Sequence, residues 1–162
     1  GYRFVNWTTT GSGSFADSNS ASTTFTMPAE NTTVTANFEL NTYTLTYSAG
    51  ANGSLTGTTS QTIDYSTDGT AVTAVPDVGY KFLKWSDDVT DNPRTDTNVT
   101  QDITVEASFE PDFAGGDGTS GAPFQISTPA HLNNVRYFLT SYFILNNDID
   151  LDVAPYNTGE GW

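Results

Sequence analysis

The chain has no cysteine, one histidine, one methionine and only five lysines and arginines in 162 residues. Without cysteine there can be no disulfide, no thiolate nucleophile and no zinc-thiolate site, and redox state cannot place the protein. His131 alone cannot assemble a histidine metal cluster, and a His-dependent triad would have to use that one residue. Basic residues are outnumbered by 19 acidic ones, giving a formal charge of −14. Such a surface repels phosphate backbones and anionic lipid heads, which argues against nucleic-acid binding and membrane-surface adsorption. No apolar run approaches the length of a membrane-spanning helix, so no membrane insertion is expected in this segment. No signal peptide is present either. Because the start of the chain reads as a cut, that says nothing about secretion. The charge suits a soluble secreted protein whose solvated acidic surface resists aggregation, and it could attract Ca²⁺.

What the chain does contain is a repeat. Gly1-Tyr2-Arg3-Phe4-Val5-Asn6-Trp7 returns as Gly79-Tyr80-Lys81-Phe82-Leu83-Lys84-Trp85, and Val34-Thr35-Ala36-Asn37-Phe38-Glu39 returns as Val105-Glu106-Ala107-Ser108-Phe109-Glu110. Repetition at tens of residues marks a modular array, a class whose members are usually spacers or binding surfaces. The expected organisation is the C-terminal half of a module at 1–40, a complete module at 41–111, a Gly-rich connector at 112–122 and a further domain beginning at 123–162. The last residues, Asn157 to Trp162, read as turn-like, and both ends read as cuts.

The modules read as β. Tyr43, Leu45 and Tyr47 alternate with threonines, the period of a strand with one apolar face. Ser48 to Gly57 supplies turn residues, among them the hairpin dipeptide Asn52-Gly53. Gln61 to Tyr65 offers a second strand, with Ile63 and Tyr65 as its apolar positions. Tyr80, Phe82 and Trp85 gather three aromatics beside a turn glycine. Ile103, Val105, Ala107 and Phe109 alternate, as do Thr32, Val34, Ala36 and Phe38. Tyr80, Phe82, Trp85 and Phe109 should therefore pack together, and Tyr2, Phe4, Trp7 and Phe38 should repeat the arrangement. From Trp7 to Phe38 there are seven more residues than from Trp85 to Phe109, an excess assigned to a loop at Thr10 to Asn19.

Beyond Pro111 the pattern changes. Phe124 and Ile126 suggest a short strand, and Ser127-Thr128-Pro129 a helix start. Leu132, Val135 and Leu139 fall at helical spacing, giving an amphipathic helix from Pro129 to about Phe138. Strand character returns at Tyr142 to Leu145, and Ile149 and Leu151 alternate with Asp148, Asp150 and Asp152.

The unit at Asn41 to Glu110, with Tyr43-Thr44-Leu45-Thr46, the run Pro76 to Ser86, and Val105, Ala107 and Phe109, resembles the divergent internalin-B-type repeat of large secreted and cell-wall bacterial proteins. The first copy also carries Phe25-Thr26-Met27-Pro28-Ala29, a segment this family often places before its last strand, and the second copy is expected to lack it and to be shorter there. Phe113 to Thr119 with Pro123 to Ile126, continuing to Ile149-Asp150-Leu151, resembles the opening of right-handed β-helix domains with GLUG-type repeats. The resemblance implies a mainly β fold in which tandem small modules precede the capping segment, strand, short helix and strand, of a right-handed parallel β-helix. It also implies a secreted or cell-surface location in bacteria.

Candidate chemistry is sparse. Gly115-Gly116-Asp117-Gly118-Thr119-Ser120 begins like a calcium nonapeptide but has Ser120 where the carboxylate belongs, and reads as a flexible connector. Asp87, Asp88 and Asp91 are weak Ca²⁺ candidates without the central glycine or closing Glu of a calcium loop. Asp148, Asp150 and Asp152 read as the polar face of a strand. Acids abound, yet none is marked as a catalytic pair. Trp7 and Trp85 could stack on sugars, but their recurrence beside Tyr and Phe suits a core, and Lys84 invites comparison with the Lys-Asn crosslinks of surface stalks. The reading is a non-catalytic spacer or adhesion region that requires no cofactor, with a glycan or protein ligand as its conceivable partner. The alternatives are an accessory region of an extracellular carbohydrate-active β-helix enzyme and a calcium-stiffened binding module.

Overall fold

The computed structural model describes residues 1–157, so the end of the expected turn, residues 158–162, lies outside the described residues. The protein is mainly β. Its elements are β1 (Tyr2–Thr10), β2 (Ser14–Phe15), β3 (Phe25–Thr26), β4 (Thr33–Leu40), β5 (Thr42–Ala49), β6 (Gly53–Gly57), β7 (Ser60–Asp64), β8 (Val72–Pro76), β9 (Tyr80–Trp85), β10 (Ile103–Pro111), β11 (Phe124–Ile126), α1 (Pro129–Asn134) and β12 (Phe143–Leu145). Contacts divide the chain into two compact units, residues 1–46, 58–71 and 94–104, and residues 47–57, 72–93 and 105–157; β5 and β10 contribute to both.

In the first unit β1 and β4 form a long antiparallel hairpin, the short pair β2 and β3 spans its loop, and β5 pairs antiparallel with β7 from Thr42↔Asp64 to Thr46↔Ser60. The Thr-rich alternation in β5 does what it predicts: Leu45 is buried and the threonines face out. Gln61, at the start of the second strand, is buried as well. Its Nε2 donates to the carbonyls of Thr58 and Thr70 at 2.9 Å and its Oε1 accepts from Thr70 N at 2.7 Å, so the side chain closes the loop after β7.

In the second unit β6 pairs antiparallel with β8, and β9 with β10. The turn expected over Ser48 to Gly57 is therefore mostly strand, with only residues 50–52 between β5 and β6. Asn52 does adopt a left-handed turn conformation, φ 70°, but the strands on either side of it are not partners. Asn52 O instead accepts from Asp77 N beyond β8. The sheet order is β7-β5-β10-β9. Ser48 Oγ donates to Val105 O and Gly50 N to Ala107 O, partners that climb together, so the first and last strands of the module run parallel.

The third segment forms its own core, with Phe113, Phe124 and Ile126 buried and Leu132, Val135, Phe138, Phe143 and Ile149 against them. Thr128 caps α1 by accepting from His131 N, and Pro129 stands at the first turn as its fixed φ favours. The helix is shorter than its spacing predicts: a 3-10 turn takes over at Val135–Tyr137, and Leu139 is left 80% exposed. β11 and β12 pair in parallel across this crossover. The alternation at 148–152 is not a strand. Asp150 Oδ1 accepts from Asp152 N and Asn147 Nδ2 donates to Asp148 O, local bonds that compete with a ladder. The glycine-rich stretch is no loose connector either. Ala114 N donates to Gln125 O, Gln125 N to Gly115 O and Tyr142 N to Gly118 O. At Gly116, φ 82°, a Cβ would lie 1.9 Å from Pro123 O, so no other residue fits.

Candidate functional site

The feature that the fold builds twice is the aromatic hairpin, β1 with β4 and β9 with β10. Tyr2↔Leu40, Arg3↔Glu39 and Phe4↔Phe38 correspond to Tyr80↔Pro111, Lys81↔Glu110 and Phe82↔Phe109. The next pairs are Asn6↔Asn37 and Lys84↔Ser108, so Val5 and Leu83 have no partner and form the same β-bulge. Both bulged residues point to solvent, 40% and 42% exposed. With an odd residue taken up there, Phe4 and Trp7, and Phe82 and Trp85, reach one face although three positions separate them. The rings meet: Phe4 lies 5.5 Å from Trp7 and 5.8 Å from Phe38, and Phe82 lies 5.8 Å from Trp85 and 6.2 Å from Phe109. Arg3 pairs with Glu39 where Lys81 pairs with Glu110.

The tryptophans are fixed alike. Trp7 N donates to Ser18 O and its Nε1 to Ser20 O; Trp85 N donates to Val89 O and its Nε1 to Asp91 O. The seven-residue excess of the first copy therefore lies wholly between Trp7 and Ser18. From Ser20 to Phe38 the spacing matches that from Asp91 to Phe109. Phe25 to Ala29, expected to have no equal in the second copy, has a counterpart of the same length at Asp96 to Thr100.

Burial separates the two copies. Trp85 is fully buried and Tyr47 from β5 meets it edge-on at 6.0 Å. Trp7 is half-buried, stacked at 6.2 Å on Phe15, which in turn meets Phe25 at 4.7 Å. Phe38 is 59% and Val34 39% exposed, so the alternation of β4 is real but its apolar face is only partly covered. The tyrosines leave the expected clusters: Tyr80 packs on Phe138, and Tyr2 is 70% exposed.

The other candidates do not converge. Among the described residues no group of three or more His, Asp and Glu side chains is placed to hold a metal. Asp88 pairs with Lys84 at 2.5 Å, and Asp91 contributes its backbone carbonyl to Trp85; the carboxylates of Asp87, Asp88 and Asp91 are not gathered around one point. Lys84 thus faces a carboxylate at the surface, 45% exposed, rather than a buried asparagine. Asp117 Oδ1 accepts from Thr119 N, and that bond, with one from the Thr119 hydroxyl, holds its pKa below the ordinary aspartate value. Glu30 is lowered similarly by the hydroxyl and backbone N–H of Ser12. His131 Nδ1 accepts from Ser127 N and its ring lies 6.1 Å from Phe113, a structural role at the start of α1. A shallow apolar depression lined by Leu132, Val135, Arg136, Leu139 and Leu151 holds no carboxylate or nucleophile.

Sequence reasoning missed two polar devices in the loop between β9 and β10, one of them buried. Arg94, 4% exposed, makes a two-pronged contact with Asp96 through Nε at 2.8 Å and a terminal nitrogen at 2.6 Å. Asn92 presents its amide to β8, donating to Ala74 O and accepting from Ala74 N, both at 2.8 Å, as a neighbouring strand would. An arginine in a chain with so few basic residues was the available signal.

The divergent InlB B-repeat domain model matches residues 1–42 and 43–113. The chain belongs to that family. A protein of Evansella cellulosilytica described as a Gly-rich membrane protein is 48% identical over 52 residues, covering 31% of this chain and 6% of the relative. The chain thus spans a small fraction of the length of that relative. No solved structure matches. Among the described residues no helix is long and apolar enough to cross a membrane.

Proposed function

We propose that this chain is a non-catalytic spacer and display region of a bacterial secreted or cell-surface protein. The observation that carries the reading is the hairpin built twice with one register, one bulge and one pattern of tryptophan hydrogen bonds. A repeated core without a convergent set of reactive side chains is what a length-setting array needs. The small share of a much longer bacterial relative that the chain matches supports a repeat region within a larger protein. The third segment is read as the opening of a right-handed β-helix, supported by the parallel pairing of β11 with β12 through a helical crossover. Trp85 serves the core rather than a glycan, since none of its surface is free.

The test is to place zero, one, two or four copies of residues 43–113 between a cell-wall anchor and an epitope, and to measure antibody access on intact cells. Access that rises with copy number is expected. Access independent of copy number, or turnover of glycans or peptides by the chain alone, would overturn the reading.

A further inference from the structure

The glycine that opens each aromatic hairpin faces the residue that follows the closing strand, and what covers it belongs to the next part of the chain. Gly1 O accepts from Asn41 N at 2.8 Å, and Asn41 O accepts from Tyr65 N at 2.8 Å. A Cβ on Gly1 would lie 2.7 Å from Cδ1 and 2.9 Å from Cε1 of Tyr65, so the tyrosine ring lies directly on the glycine. The second copy repeats this with different residues. Gly79 O accepts from Asp112 N at 2.9 Å, and Asp112 O accepts from Asn134 Nδ2 at 3.1 Å. A Cβ on Gly79 would lie 3.1 Å from Phe138 Cε2 and 3.2 Å from Tyr137 Cδ2.

We propose that this arrangement is a recurrent docking joint: a glycine socket on one module takes an aromatic ring of the next domain, and the single residue after the closing strand is hydrogen-bonded from both sides. Its partner is therefore defined chemically, as a domain presenting an exposed aromatic beside an N–H donor. Two unrelated successors satisfy it here, a β-strand end in one case and a helix with its 3-10 turn in the other. At Gly1 any side chain would collide with the ring that sits on it, and at Gly79 a φ of 87° favours glycine in addition to the tight contact with Tyr137 and Phe138. A joint held by two hydrogen bonds to one residue's backbone and a ring contact has little freedom to swing, whether the array spaces a domain or binds one.

The experiment uses the whole chain in weakly aligning medium, comparing N–H residual dipolar couplings of β1 and β4 with those of β5 and β7. One shared alignment tensor is expected for the unaltered protein. Tyr65→Ala is expected to split it into two, while Tyr65→Phe keeps it single. Should Tyr65→Ala disturb β5 and β7, whose Tyr43 also touches that ring at 6.3 Å, Gly1→Val fills the socket from the other side and is expected to split the tensor with β5 and β7 shifts unchanged. Separate tensors in the unaltered chain, or one tensor that survives Gly1→Val, would overturn the proposal. Neither result depends on antibody access in the display experiment, so the two readings fail separately.

Discussion

Removing the Arg94 guanidinium while Asp96 stays would leave a carboxylate with a side chain 13% exposed and its two-pronged partner gone. Arg94→Met should cost about 3–5 kcal/mol by denaturant unfolding, whereas replacing both residues by apolar ones of similar size should recover much of the loss. Trp85→Ala should cost about 3–5 kcal/mol and Trp7→Ala clearly less, because only the former empties a fully buried site. Glu30 offers a pH test with a definite sign. Its folded pKa is lowered by Ser12, so the small stabilisation it gives is present above the ordinary glutamate range and is lost as pH falls through the lowered value. A carboxyl ¹³C titration should place its midpoint below that of Glu30 in a Ser12→Ala variant. Trp85 was legible from its matched spacing with Trp7. Arg94, Asn92 and Gln61 were not, because a polar side chain in such a place answers to carbonyls and carboxylates that no periodicity announces.

The strands that alternate were legible, and those that do not were hidden. β5, β7, β9 and β10 carry large residues at period two or a spaced aromatic signature, while β6 reads Gly-Ser-Leu-Thr-Gly and looks like a turn. Its partner β8 lies beyond β7, so its pairing was invisible locally. The bulge was equally silent: Phe82 and Trp85 sit three apart, a spacing that suits a simple strand poorly, and Leu83 makes the difference. Leu83→Ala should change stability by no more than about 0.5 kcal/mol, since the side chain is 42% exposed. Deleting Leu83 should remove the bulge and keep the aromatic face, because Phe82 and Trp85 would then stand two positions apart and Phe82↔Phe109, Lys84↔Ser108 and Trp85↔Ala107 would form an unbroken ladder. Deleting Leu83 and Lys84 together should do far more harm, because Phe82 and Trp85 would become neighbours on opposite faces. Thermal melts of these variants, with Trp85 fluorescence, would distinguish them.

Across the molecule the repeat was legible from two heptapeptides, but the order of the sheet was not, since it depends on which distant edges meet. The charge of −14 has a consequence of its own. Raising NaCl from low to physiological levels should increase the melting temperature by screening self-repulsion. Replacing part of it by millimolar-range Ca²⁺ at constant ionic strength should add little, given that no three acidic side chains gather among the described residues.

The parallel run of β5 beside β10 matters most if the protein is ever pulled. Tension applied at the two ends of residues 43–113 draws these strands lengthwise past each other, so their cross-strand bonds carry the load together in shear. Across an antiparallel pair such as β9 with β10, where Tyr80 lies opposite Pro111, a pull at those two residues would instead open the ladder one bond at a time, like a zip, so within one module the parallel seam is the part that resists traction.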